Sequence, residues 1–338
     1  MAERPNRVGV ETVTVPGRAL EGNPLGDPAE REMPVLLPPG YDAERGRRYP
    51  LLVGLTGFTG SGVQMLNFDP WQPNLALRLE QLYDAGMPHV IVALPDCFTR
   101  LGGSQYVNSE AVGRYEDYVV EEIVQFVDAN FRTVAAPEGR AVFGKSSGGY
   151  GAIMLGMKHP EVFGALACHS GDMLFDLCYR VDFPAFCNTV NRYGGVREWF
   201  EAFEGKVKKS GDDFVALNTL AMAACYSPDP DGFMGIALPV DPYTCELRED
   251  VWARWLELDP IYAVERYADN LRRLRLVYMD CGSRDEAHLH FGARVMSRKL
   301  KEMGVEHTYE EFDDGHRNIQ YRYSESLPRL AAALEGER

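Results

Sequence analysis

Short apolar runs of strand length recur along the chain: VGVETVTV, MPVLLP, YPLLVGLTG, HVIVALPD, RAVFG, FGALACHS, LRLVYMD and HTYEEF. Their β-branched and aromatic content predicts a strand for each. Between them the apolar period lengthens. Over 115–131, Tyr115, Tyr118, Val119, Ile123, Phe126 and Val127 recur at three- and four-residue spacings, while Glu116, Asp117, Glu121, Glu122 and Asp128 fall elsewhere. That pattern predicts an amphipathic helix lying on a sheet. Nearly continuous apolar strands alternating with such helices predict an α/β fold. Its central sheet is mostly parallel and flanked by helices, with a few antiparallel strands at the start.

The alternation stops over 172–260. There the chain carries aromatic-rich helical pieces, NRYGGVREWFEAFEG and VALNTLAMAACY, and then the proline-punctuated SPDPDGFMGIALPVDPYTC. This is too long for an ordinary connection and too interrupted for a second sheet. The expectation is a single domain, 1–338, with an inserted helical cap at 172–260 over one end of the sheet.

Composition narrows the functional classes. The 338 residues are 45% hydrophobic, enough for a sizeable core, and carry a net charge of −15. Such a surface repels nucleic acid and anionic membranes, so neither is expected as a partner. The N-terminal MAERPNRVGVETVTV has no basic stretch followed by an apolar run, and no segment offers ~18 unbroken apolar residues. A cytoplasmic location is therefore expected. The seven cysteines, Cys97, Cys168, Cys178, Cys187, Cys225, Cys245 and Cys281, form no C-x-x-C pair. They are expected to be buried and reduced rather than a disulfide framework.

The stretch GRAVFGKSSGGYG fits two incompatible motifs. Gly139, Gly144, Lys145 and Ser146 match G-x-x-x-x-G-K-[ST], a phosphate-cradling loop. Gly144, Ser146 and Gly148 match G-x-S-x-G, a sharp strand-to-helix turn that exposes a nucleophilic serine. A phosphate loop needs its strand to end before Gly139, but Pro137 and Glu138 stand there and the apolar run is 140–143. Proline lacks the ladder donor. The serine turn is the better reading, with Lys145 as a turn residue of little consequence.

Serine becomes a nucleophile when a histidine takes its proton and a carboxylate orients that histidine. In chain order the acid and then the histidine should follow. His159 lies within the next helix and His169 comes before any suitable acid. His316, in FDDGHRNIQ, follows the strand HTYEEF on a loop. The expected acid is Asp285, in the turn after LRLVYMD; Asp280 fits a strand end and Glu286 a helix start. His288 and His290 are two residues apart and do not share a helix face, so no metal site is expected. The amides of Ser147 and Phe58, the latter following Gly57, are candidates for an oxyanion hole. Trp71, Gln105 and Tyr106 are candidate substrate contacts, although Trp71 and Tyr106 suit packing beneath the cap equally well. Gln105 and Asn108 could instead fix their own loop.

RRYPLLVGLTGFTGSG, LPDCFTRLGGSQYVNSEAVGRYEDYVVEEIV, GKSSGGYGAIMLGMKHPEVFGALACHSGD, CGSRDE and DDGHRNIQYRYSESLP together resemble the putative-esterase family of α/β-hydrolases. That family includes esterase D (S-formylglutathione hydrolase), enterochelin, feruloyl and acetylxylan esterases, and mycolyltransferases. The resemblance runs from about Pro34 to Leu334, apart from the insertion. It implies an α/β-hydrolase fold and a serine esterase with nucleophile Ser146, acid Asp285 and base His316. It implies a small-molecule ester substrate and neither cofactor nor metal. Two positions depart from the family pattern: Thr56 replaces a histidine common before the oxyanion glycine, and Ser147 replaces a large apolar residue. Acyl transfer on the same triad, or a non-catalytic binding role for the fold, are the alternatives. Homo-oligomer formation is left open.

Overall fold

The computed structural model describes residues 7–335. The first six residues, part of the N-terminus read above as lacking a leader, and the last three lie outside the described residues. Each of the eight predicted strands is found in one sheet, in the order β1-β2-β4-β3-β7-β8-β9-β10. These are β1 (Gly9–Pro16), β2 (Glu30–Leu37), β3 (Leu51–Leu55), β4 (Ile91–Ala93), β7 (Arg140–Lys145), β8 (Ala165–His169), β9 (Leu276–Gly282) and β10 (Thr308–Phe312). A two-residue pair, β5 (Asn108–Ser109) with β6 (Gly113–Arg114), stands apart from it. β1–β2, β2–β4 and the separate β5–β6 pair are antiparallel, and the remaining pairs of the main sheet are parallel.

The strands read as unbroken apolar runs because both faces are covered. Leu51, Val53, Leu55, Val142, Leu166, Val277 and Met279 enter one core cluster, whereas Leu52, Ala141, Phe143, Ala167 and Tyr278 enter the other. Side-chain alternation along a strand sends neighbours to opposite faces. Helices Leu75–Asp84 and Tyr323–Leu334 close the second face through Leu75, Leu79, Leu327 and Leu330. The amphipathic segment predicted over 115–131 covers the first face, but its middle, Tyr118–Ile123, is wound as a wider π-helix. Over 172–260 five α-helices lie between β8 and β9: Phe175–Cys178, Phe183–Asn191, Val196–Gly205, Gly211–Tyr226 and Glu249–Leu258. Ser210 and Asp213 form a capping box at the start of Gly211–Tyr226.

Strand order places the site. β3 is flanked by β4 on one side and β7 on the other, so chain progress reverses direction between β3 and β7. At such a switch point the loops at the strands' carboxyl ends diverge and leave a crevice. Leu55 pairs with Gly144 and Lys145 with His169, which puts the segments after Leu55 and Gly144 side by side.

Below the crevice, a buried polar network ties β8, β9 and the last helix together. His169, dismissed as a catalytic candidate on chain order, meets Asp280 at 2.7 Å through Nδ1 and Ser326 Oγ at 2.8 Å through Nε2. Arg322 Nε and the Tyr278 hydroxyl donate to the other Asp280 oxygen at 2.8 and 3.0 Å. All seven cysteines are free thiols, six of them buried and Cys245 partly exposed. Among the described residues no helix is long and apolar enough to cross a membrane.

Asp280→Ala strips Arg322, His169 and Tyr278 of a shared partner and is expected to lower the unfolding free energy by about 3–5 kcal/mol, measured by chemical denaturation. The network also predicts a pH dependence. Burial alone would raise the Asp280 carboxyl, but the charge and hydrogen bonds of His169 and Arg322 outweigh it and hold the group below its ordinary value. Its contribution is full above the unfolded carboxyl value of about 3.9 and is lost as the pH falls through the lower folded value. The stability gap between the native protein and Asp280→Asn is therefore expected to be narrower at about pH 2.5 than at about pH 5. Equal gaps at the two pH values would contradict this account.

Candidate active site

β7 ends at Lys145 and a helix, Ser147–Lys158, begins two residues later. Ser146 makes the whole turn, at φ 59° and ψ −127°, a conformation that strains any residue with a Cβ. Its neighbours hold it there. The Ser146 amide donates to His169 O at 3.0 Å and its carbonyl accepts from the Tyr150 amide at 2.9 Å. Two glycines make the turn sterically possible. A Cβ on Gly144 would lie 2.4 Å from Gly148 O, and one on Gly148 would lie 2.2 Å from Leu55 O.

His316 stands on the loop after β10 and Asp285 in the turn after β9. His316 Nε2 lies 3.0 Å from Ser146 Oγ, and His316 Nδ1 lies 2.8 Å from Asp285 Oδ2. Asp285 is buried and its other oxygen accepts the Ala287 amide at 2.9 Å. Burial pushes this carboxyl up, but the hydrogen bond and charge of His316, with the Ala287 and Leu289 amides, outweigh it and hold the group below its ordinary value. An ionised Asp285 fixes the tautomer with hydrogen on Nδ1, leaving the Nε2 lone pair directed at the serine hydroxyl.

Glu286, read from the sequence as a helix start, has a different task. Its Oε2 accepts the His316 backbone amide at 2.6 Å, and a Cβ on Gly315 would fall 2.8 Å from its carboxylate. Adjacent carboxylates thus grip the histidine by ring and by backbone. Asp314, which flanks His316, accepts the Gly315 amide and the Tyr321 hydroxyl.

The loop after β3 runs beside the serine. A Cβ on Gly57 would lie 3.2 Å from Ser146 Cβ and 3.8 Å from its Oγ. Phe58 follows, its ring close to Gly102 and edge-on to Phe214 at 5.4 Å. Thr59, at φ 64°, donates its amide to Gly102 O at 2.8 Å. Ser147 opens the helix, where amides lack intrahelical acceptors. Its hydroxyl donates to Asp172 Oδ2 at 3.0 Å.

The expected substrate contacts fall elsewhere. Gln105 is buried, and its Nε2 donates to Asp172 Oδ2, Tyr179 OH and Tyr226 OH at 3.2, 2.8 and 3.0 Å. Tyr106 is also buried and donates its hydroxyl to Thr56 O at 2.6 Å. Both fasten the crevice loops to one another, because two successive left-handed residues need side-chain anchors to hold the bend. Asn108 likewise pairs with Asp117 rather than facing the site. Trp71 is 90% exposed and stands outside the cavity. That cavity, of about 400 Å³, is lined by Thr56, Gly57, Phe58, Lys145, Asn318 and Gln320 among others, beside Ser146 rather than around it. Lys145, read above as a turn residue, belongs to its wall. Among the described residues, no group of three or more His, Cys, Asp or Glu side chains has the spacing to hold a metal ion.

Comparison with known proteins gives these residues a family setting. The chain is 36% identical to the esterase Rv1288 of Mycobacterium tuberculosis over 210 residues, 58% of this chain and 43% of that one. It therefore spans less than half the length of the curated relatives it matches. Among solved structures it is similar to a ferulic acid esterase, with a TM-score of 0.64 at 17% identity, covering 97% of this chain and 99% of the other. It is also similar to an S-formylglutathione hydrolase from Agrobacterium tumefaciens, with a TM-score of 0.60 at 16% identity, covering 99% and 98%. These structures share the α/β-hydrolase fold with it. The family model described as "Putative esterase" matches residues 28–334. The chain belongs to the putative esterase family.

Proposed function

We propose that this chain hydrolyses a carboxylic ester through an acyl-enzyme on Ser146. The reading rests on one observation, the two-bond relay in which His316 meets Ser146 Oγ at 3.0 Å and Asp285 at 2.8 Å. Ser146 Oγ attacks the acyl carbon while His316 Nε2 takes its proton, so the oxygen gains a bond to carbon as it loses hydrogen. Asp285 holds the imidazolium that results. The Ser147 and Phe58 amides donate to the oxyanion of the tetrahedral intermediate. Collapse breaks the bond to the alcohol oxygen, which takes the proton from His316. Water then repeats the sequence on the acyl-enzyme and releases the acid. Each role is carried by a residue of this chain, with no cofactor in any step.

Ser146→Ala is expected to lower kcat for a short-chain aryl ester by roughly 10⁶ while leaving the circular dichroism spectrum unchanged. Ordinary turnover in that variant would end the proposal. Asp285→Asn is expected to cut kcat by about 10⁴, because the amide favours the wrong tautomer of His316. A fluorophosphonate probe is expected to add its mass to the peptide containing Ser146 and to no peptide of Ser146→Ala, read by mass spectrometry.

A further inference from the structure

Lys145 immediately precedes Ser146 and lines the cavity beside Gly57 and Phe58. It is half-buried. Burial pushes its ammonium below the ordinary lysine value, and the charges of Asp285, Asp172 and Glu286 only partly offset this. Among the described residues, the Lys145 side chain makes no hydrogen bond and no ion pair. Carrying a cation into a desolvated place without a hydrogen-bonded partner costs free energy, and the nearby carboxylates return only part of it. Arg317, next to His316, is exposed and equally unpaired, and its charge is felt at Lys145.

The other charges of the cavity wall have partners. Asp69 Oδ1 accepts the Trp71 and Gln72 amides, and Arg78 donates to Ser324 Oγ and Pro73 O. Much of the remaining wall is neutral amide, including Gln64, Asn67, Asn318 and Gln320. In a protein of net charge −15, two cations without side-chain partners stand next in the chain to the candidate serine and histidine, and Lys145 lines the cavity.

Building on the ester-hydrolase reading above, we propose that Lys145 binds a carboxylate carried on the alcohol part of the ester, with the exposed charge of Arg317 adding to the attraction. The location follows from the histidine loop. Asn318 and Gln320, two and four residues after His316, form part of the cavity wall, and His316 is the group that returns a proton to the departing alcohol. The alcohol part therefore faces this wall. The charge follows from Lys145, since one half-buried ammonium neutralises one unit of negative charge, as a carboxylate supplies.

A pair of near-isosteric esters, 4-carboxyphenyl acetate and 4-carbamoylphenyl acetate, tests this by the ratio of their kcat/KM values. The native protein is expected to favour the carboxylate ester. Lys145→Gln is expected to lower the ratio about tenfold, the loss of one charge-assisted contact, and Lys145→Arg to retain most of it. An unchanged ratio in a folded Lys145→Gln protein would overturn the proposal. Calorimetry on Ser146→Ala gives a readout without turnover. There 4-hydroxybenzoate is expected to bind more tightly than 4-hydroxybenzamide, and adding Lys145→Gln to erase the difference. If the native protein cleaves neither ester and leaves the fluorophosphonate unreacted, the hydrolase reading has failed. The calorimetric comparison then still decides for or against the lysine.

Discussion

The contact on which the site depends is the approach of the first turn of helix Ser147–Lys158 to the last carbonyl of β3. No side chain fits between them, since a Cβ on Gly148 would meet Leu55 O at 2.2 Å. With the helix pressed down this far, the chain must climb out of β7 within one residue, and Ser146 takes a backbone conformation that costs on the order of 1–3 kcal/mol. Hydrogen bonds on both sides of the turn, to His169 and from Tyr150, oppose its relaxation. The same compression sets the helix amino terminus and the Gly57 loop on either side of the serine. The strained backbone, the helix amino terminus and the placement of Ser146 thus have one steric origin.

Around this turn, three buried carboxylates are treated differently. Asp280 and Asp285 each face a histidine, and their environments favour the ionised form despite burial. Asp172 also lies buried, but its side-chain partners are neutral: the Tyr179 and Ser147 hydroxyls and the Gln105 amide. Burial outweighs them and raises its carboxyl above the ordinary value. Asp172 and Gln105 link the loop after β8, the loop holding Tyr106 and the inserted helices to the residue next to Ser146. The position where the family commonly carries a large apolar side chain is thus occupied by a hydroxyl tied into a polar cluster.

The strands were legible because a sheet buried on both faces leaves continuous apolar runs, and RAVFG ending at Gly144 distinguished the serine turn from a phosphate loop. Chain order and position after strands singled out Ser146, Asp285 and His316, and the fold brings these three into one hydrogen-bonded chain. Other assignments depended on contacts that no local pattern encodes. Gln105 and Tyr106 looked like pocket residues because polar and aromatic side chains on a loop suit either role. Their burial is set by Asp172 and Thr56, which are distant in the chain. Glu286 was hidden behind the more conspicuous Asp285, and the π-helical turn in 118–123 conserves the apolar stripe that reads as an ordinary helix. Lys145 could not be distinguished from a solvated turn lysine until the strand order placed it beside the β3 loop.

Asp285 and Glu286 are consecutive, yet one binds the imidazole of His316 and the other its peptide nitrogen. The segment after β9 and the segment after β10 are thereby clamped into a single mechanical part. A displacement of either carries Asp285 and His316 along together, preserving their mutual alignment. What such a displacement alters is the gap to Ser146, which is held separately in the turn after β7. The relay therefore has one adjustable joint, between imidazole and hydroxyl.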